Sequence, residues 1–329
     1  MLDENRPTDR RLRLRAGEWV EIRSKAEILA TLDEQGRLDG LPFMPEMLAF
    51  CGQRVRVYKV AHKTCDTIKT YTNRHMPDAV HLEGLRCDGA AHGGCQARCL
   101  LFWKEAWLRR VPGRDAQTSV LQQNAASPDP TTIANLERHT RQIDPISNAA
   151  TELYSCQAVA LRDSTTPLHW YDPRHYLADL RSRNVRFWVL VKYVAYAVFR
   201  AMLRRLGRDL ATRPGRMSGK PPNRRLDLAP GELVRVRSRE EIYQTIGPDR
   251  KNRGLWYDIE MEPFSGKVFP VLGSVERLVD EKTGKMLKLS RDCVILDGAF
   301  CKGCLSTNRL FCPRSIYPYW REAWLERVQ

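Results

Sequence analysis

The chain contains one module twice, and any fold proposed for it must be built from two copies of the same unit. Gly17-Glu-Trp-Val-Glu-Ile-Arg-Ser24 aligns with Gly231-Glu-Leu-Val-Arg-Val-Arg-Ser238 at an offset of 214. That offset carries Glu46-Met47 onto Glu260-Met261, Phe50 and Gly52 onto Phe264 and Gly266, and Cys87 onto Cys301. After a slip to 217, Cys95 falls on Cys312 and Trp103-Lys-Glu-Ala-Trp-Leu108 on Trp320-Arg-Glu-Ala-Trp-Leu325. A repeat of this kind decides the fold before any local propensity does. It divides the chain into an N-terminal module (1–111), a linker (112–230) and a C-terminal module (231–329).

Each copy predicts the same elements. An alternating strand (Trp19, Val20, Ile22; Leu233, Val234, Val236) leads to Ser24 or Ser238. Each Ser, with an acid three residues on (Glu27, Glu241), forms a capping box for a short helix. Strands rich in β-branched residues follow at 54–60 and 267–271, then at 79–82 and 293–296, and Asp280–Gly284 reads as a hairpin turn. Each module is expected to close on a helix, 102–110 and 319–327, with paired tryptophans at i, i+4 capping the core. The expected fold class is α+β: two small β-barrel-like modules, each ending in a Trp-rich helix, joined by a partly helical linker.

Ten cysteines in a chain that opens without an apolar leader favour metal thiolates or reactive thiols over a disulfide framework, and predict a cytoplasmic protein. Copy one offers Cys87, Cys95 and Cys99 in a Gly-rich loop; its fourth ligand is to be sought among Cys65, Cys156 and His92. Copy two offers Cys301, Cys304 and Cys312, with Cys293 or a residue from elsewhere. Thiolates at glycine turns suit metal, because backbone amides can wrap the sulfurs. An iron–sulfur cluster and Zn²⁺ both fit such ligands, and each module can hold one; redox disulfides are the third reading. Cys51 and Cys293 read as small core residues. Cys156, in Tyr-Ser-Cys-Gln, is the candidate for a nucleophile if it is not a ligand.

The formal charge of +15 is concentrated in the linker: residues 181–225 hold thirteen Lys or Arg and one acid, Asp209. Residues 113–150 are polar and read as loop. A helix over 185–206, capped by Asn184 and Gly207, is apolar except for a stripe of Lys192, Tyr196, Arg200 and Arg204. It suits packing between the modules with the stripe in solvent, or a membrane interface with snorkelling basic residues, but not a membrane span. The basic run would suit anionic lipid or, less well, nucleic acid, since the modules themselves are nearly charge-balanced. No phosphate-binding or dinucleotide glycine loop, His-Glu-x-x-His or Gly-x-Ser-x-Gly is present.

In their pattern of short strands and turns the modules resemble SH3-like or KOW-type barrels. A first copy ending Arg86-Cys-Asp-Gly-x-x-His-Gly-Gly-Cys-Gln-Ala-x-Cys99, a Tyr-x-Cys-Gln linker and a second copy ending Phe311-Cys-Pro-Arg resemble a bacterial family of duplicated cysteine-rich proteins. That family is associated with polysaccharide and natural-product biosynthetic clusters. The resemblance implies a role in such a pathway, alongside a biosynthetic partner, and no particular reaction.

Overall fold

The structure is a computed structural model that describes residues 11–111, 130–144, 152–207, 213–289 and 292–328. The fold is α+β, with curled antiparallel sheets that include a half-barrel. In the N-terminal module β1 (Trp19–Ile22) leads into α1 (Lys25–Leu29). Then come β2 (Arg54–Val60), β3 (Lys63–Cys65), β4 (Asn73–His75), β5 (Ala79–Arg86), β6 (Leu100–Lys104) and β7 (Leu108–Arg110). Five of these strands form one antiparallel sheet in the order β6-β5-β2-β1-β7. The linker supplies α2 (Pro130–Thr140), α3 (Pro173–Arg181) and α4 (Phe187–Arg205). The C-terminal module begins with β8 (Leu233–Val236), α5 (Arg239–Tyr243) and β9 (Val268–Ser274). It continues with β10 (Arg277–Val279), β11 (Met286–Lys288), β12 (Cys293–Leu296), β13 (Trp320–Arg321) and β14 (Leu325–Arg327). Its sheet, β13-β12-β9-β8-β14, repeats the order of the first.

Both capping boxes form: Glu27 and Glu241 each accept the backbone N–H of the Ser three residues before. The two cores match in detail. Trp107 donates from its indole N–H to Thr31 Oγ1 at 3.0 Å, and Trp324 to Thr245 Oγ1 at 2.9 Å. Phe43 meets Trp107 edge-on at 5.2 Å, and Tyr257 meets Trp324 at 5.4 Å.

Four expectations are corrected. The segments 102–110 and 319–327 are not helices. Each is a strand, a single 3-10 turn (Glu105–Trp107, Glu322–Trp324) and another strand. All four tryptophans are fully buried, which a helix at a barrel's rim would not achieve; in each pair the strand carries one into the core and the 3-10 turn the other. Asn184 does not cap α4; its side chain both donates to and accepts from the Val60 backbone, and Arg186 occupies the cap. The polar stripe of α4 does not lie wholly in solvent. Arg200 is buried and donates to Leu305 O at 2.8 Å, while Phe187, Trp188, Val198, Phe199 and Met202 are exposed. Part of the segment expected to be loop, 113–150, is α2 and a short strand at Arg141–Ile143; residues 112–129 and 145–150 lie outside the described ones.

The modules exchange arms. The β3–β4 hairpin of the first reaches the cysteine loop of the second: Arg314 Nη1 donates to Cys65 O at 3.0 Å, and Asn73 Nδ2 to Leu310 O at 3.2 Å. The β10–β11 hairpin of the second reaches the cysteine loop of the first. Gln96 N donates to Arg277 O at 2.9 Å, and Gln96 Oε1 accepts from Glu276 N and Arg277 N at 2.6 and 2.9 Å.

Candidate metal centre

Four half-buried thiols line one partly enclosed cavity of about 40 Å³: Cys87, Cys95, Cys99 and Cys156, together with His92, Val279, Arg314 and Ile316. Both modules and the linker contribute. Cys87 follows the last residue of β5, and its N–H bonds Cys99 O at 2.8 Å. Cys95 follows a 3-10 turn, Ala90–His92, bracketed by Gly89 and Gly93 at φ 77° and 61°. Gly89 is required because a Cβ there would sit 1.9 Å from Cys95 O. Cys156 is placed by its neighbour. Gln157 is buried and pairs with β6 by accepting from Phe102 N and donating to Phe102 O, both at 2.9 Å.

The sulfurs receive backbone N–H groups. Gly89 N–H aims at Cys87, Ala158 and Val159 N–H at Cys156, and the arm residue Val279 donates to Cys95 Sγ at 3.4 Å. Such amides stabilise a coordinated thiolate. Without a metal the cavity favours neutral thiols. Burial pushes Cys99 and Cys156 up to about 12 and raises Cys87 further, with the Glu46 carboxylate adding to it. A metal would therefore bind by displacing protons.

One wall carries a carboxylate–imidazole pair. His92 Nδ1–H donates to Glu46 Oε1 at 2.7 Å, and Ala91 N–H donates to the same oxygen at 3.2 Å. Burial opposes the charge on Glu46, but the hydrogen bonds it accepts, that of His92 foremost, outweigh it and hold its carboxyl below the usual range. This bond fixes the ring so that Nε2, buried and without a partner, is the nitrogen left for a ligand. A carboxylate orienting a histidine in this way is the usual second layer of a metal site. Among the described residues, Glu46, Cys87 and His92 are the only three such side chains whose ligand atoms all lie within 4.8 Å of one another.

The C-terminal module keeps the frame and changes the ligands. Glu260, equivalent to Glu46, accepts N–H groups from Cys304, Leu305 and Ser306 at 3.1, 2.7 and 2.7 Å. Cys301 is equivalent to Cys87, and Gly303 N–H aims at its sulfur as Gly89 N–H does at Cys87. Cys65, a candidate ligand for the first module, is not at that cavity; it lies on the β3–β4 arm against the second module, where its carbonyl accepts from Arg314. Cys304 lies apart from these two, its sulfur against Lys302 O at 3.5 Å. Cys51 and Cys293 are buried among apolar residues of their strands and turns.

Sequence reasoning passed over Glu46 and Glu260 as site residues. The signal was the Glu-Met pair preserved in both copies inside an apolar stretch. Gln157 and Arg314 carried no comparable signal. No protein-family model, curated protein or solved structure matches the chain.

Proposed function

We propose that this is a metal-thiolate protein whose N-terminal module holds an iron–sulfur cluster in the cavity lined by Cys87, Cys95, Cys99 and Cys156. The observation that carries the reading is four thiols, with amide N–H groups directed at three of them, around one partly enclosed space. That space of about 40 Å³ is roughly three times what a single water needs, and so suits a group of several atoms. A lone tetrahedral zinc would draw its sulfurs to roughly 4 Å of one another, given Zn–S bonds of about 2.3 Å. No three of these thiols meet even a 4.8 Å limit, whereas a cluster spreads its cysteines over separate irons. His92 and Glu46 close one side and can offer an imidazole. We read the modules as SH3-like barrels and the protein as a cytoplasmic one serving a biosynthetic pathway in a redox or metal-centred role. Cys156 acts as a ligand in this reading and not as a nucleophile.

The test is anaerobic purification, a visible spectrum, and iron, zinc and acid-labile sulfide per chain, for the wild type and Cys156→Ser. Brown protein with iron and sulfide, both lost in the variant, is expected. A colourless wild type that holds zinc alone, and resists reconstitution with iron and sulfide, would overturn the cluster.

A second reading, a zinc-stabilised scaffold docking on a membrane, is favoured by the exposed apolar residues of α4 and the basic stretch after it. No described helix is long and apolar enough to cross a membrane. Flotation with anionic vesicles that disappears on Trp188→Ser plus Phe199→Ser would support it. Salt-sensitive binding to RNA or DNA would instead point to the basic linker as a nucleic-acid contact.

A further inference from the structure

We infer a further site, independent of the cysteines: an open pocket between the β3–β4 hairpin and α3 that binds an uncharged polyhydroxyl molecule of monosaccharide size. The pocket has a volume of about 450 Å³, within the roughly 300–1,000 Å³ usual for small-molecule sites. His62 at the start of the hairpin and His75 at its end form one wall. Thr166, whose short strand pairs with β4, continues it. His169, Arg174 and His175, leading into α3, form the other. Four of the chain's seven histidines thus line one pocket. A metal does not account for that concentration: among the described residues these rings do not bring three ligand atoms within 4.8 Å of one another.

The two inner rings, His62 and His175, have fixed and opposite free edges. Behind them Lys63 and Asp179 are fully buried and paired at 2.6 Å. Lys63 Nζ also donates to His175 Nδ1 at 3.2 Å, so the neutral ring carries its proton on Nε2. His62 Nε2 faces two acceptors, His175 O at 3.2 Å and Asp179 Oδ1 at 3.4 Å. Its proton is therefore on Nε2, and Nδ1 is left as an acceptor. Both free atoms, His175 Nε2 and His62 Nδ1, are buried and without a hydrogen-bond partner among the described residues. Burial, with the Lys63 charge adding to it, holds both rings neutral, bringing His62 to about 3 and His175 to about 4. The walls thus carry one N–H donor and one bare nitrogen acceptor that the fold leaves unused. Buried polar groups left so are costly, and a ligand that both donates and accepts satisfies them.

A hydroxyl donates and accepts through one oxygen, and a ring carrying several can meet a donor and an acceptor at separate points of the wall. Charge points the same way. Lys63 is matched by Asp179, and Arg174 by Asp172 at 2.7 Å, so an ionic ligand would meet charges already balanced. At the rim His169 stacks on Tyr171, with centroids 5.2 Å apart and planes inclined by 14°. Pro167 and Leu168 add apolar surface, on which the C–H face of a sugar ring packs. The Lys63–Asp179 pair, a costly thing to bury, has a purpose here: it sets the proton positions of both rings.

The experiment uses full-length protein, isotope-labelled at the histidine nitrogens and followed by NMR through each ring's nitrogen signals. D-glucose, D-galactose, D-mannose and myo-inositol are titrated one at a time to millimolar concentrations, with acetate and inorganic phosphate as charged comparisons. Both His62 and His175 should be in the Nε2–H form. At least one of the four uncharged compounds should shift both rings along a saturable curve while His81 and His92 stay in place. His175→Phe should weaken that binding about tenfold, the loss of one hydrogen bond at the upper end of its usual worth. Thr166→Trp fills the pocket from an exposed position on its rim and should abolish the shifts. Should His175→Phe not fold, Thr166→Trp carries the test. The absence of a saturable shift from all four compounds would overturn the site, as would equal shifts at His81 and His92 or binding undiminished in Thr166→Trp. Saturation by acetate or phosphate where the uncharged compounds fail would overturn the polyhydroxyl ligand and assign the pocket to an anion. A proton on His175 Nδ1 would refute the arrangement of donor and acceptor.

Discussion

Replacing Glu260 with Ala tests whether the buried carboxylate is what shapes the C-terminal cysteine loop. Its two oxygens accept three backbone N–H groups, from Cys304 at 3.1 Å and from Leu305 and Ser306 at 2.7 Å. A hydrogen bond to a charged group contributes about 1.5–3 kcal/mol, and three to one carboxylate are not additive. The three amides belong to half-buried residues, so water can replace part of what is lost. The expected cost is therefore about 3 kcal/mol for Glu260→Ala, the worth of one to two such bonds rather than of three. Glu260→Gln keeps one accepting oxygen, so its cost should be about half as large. Urea unfolding followed by tryptophan fluorescence reads the change, with the exposed Glu83→Ala as a control expected within about 0.5 kcal/mol of wild type. Amide exchange at 304–306 should quicken in step. A Glu260→Ala loss below about 1 kcal/mol, with exchange unchanged, would show that the loop holds its shape without the carboxylate.

Two further outcomes follow from the same geometry. Gly89→Ala, Gly303→Ala and Gly52→Ala all place alanine at positive φ, but a Cβ would lie 1.9 Å from Cys95 O, 2.8 Å from Cys312 N, and in open space respectively. Melting temperatures should fall most for Gly89→Ala and least for Gly52→Ala, where only about 1 kcal/mol of backbone strain is expected; equal losses would refute the close approach. Burial depresses His81 to about 3, with its Nδ1–H donating to Leu101 O. The unfolded chain therefore binds the proton that the folded one refuses. The stability from neutral His81 is complete above about pH 6.5 and is lost as pH falls toward about 3, by up to about 1.4 kcal/mol per pH unit. Chemical denaturation from pH 7 to 4 should show a shallower decline in His81→Leu than in wild type; parallel curves would exclude His81 as the source.

Local chemistry made much of the fold legible. Ser24 and Ser238 announce their helices because a capping box needs only four residues. The strands at 54–60 and 293–296 announce themselves through β-branched runs. Trp103 and Trp107 misled because i, i+4 spacing on a helix leaves the same trace in sequence as one tryptophan on a strand and the next at the end of a 3-10 turn. The cavity was legible in part: the three loop cysteines share one segment, but Cys156 joins them only because Gln157 pairs with Phe102. Cys65 was assigned to its own module because nothing near it in sequence reveals that the β3–β4 hairpin crosses over. Contacts such as Asn73 with Leu310 join residues far apart along the chain, and no short-range pattern encodes them.

The crossing of the two hairpins also sets the order in which the molecule can be made. The first cysteine loop leaves the ribosome well before Val279, the residue that donates to Cys95. The N-terminal half therefore waits, its thiols open on one side, until most of the chain has been translated. The same geometry is what two separate copies of the module would make by trading hairpins. Cys65 opposite Val279, and Cys99 opposite Ile316, mark where one repeated plan carries two different pockets.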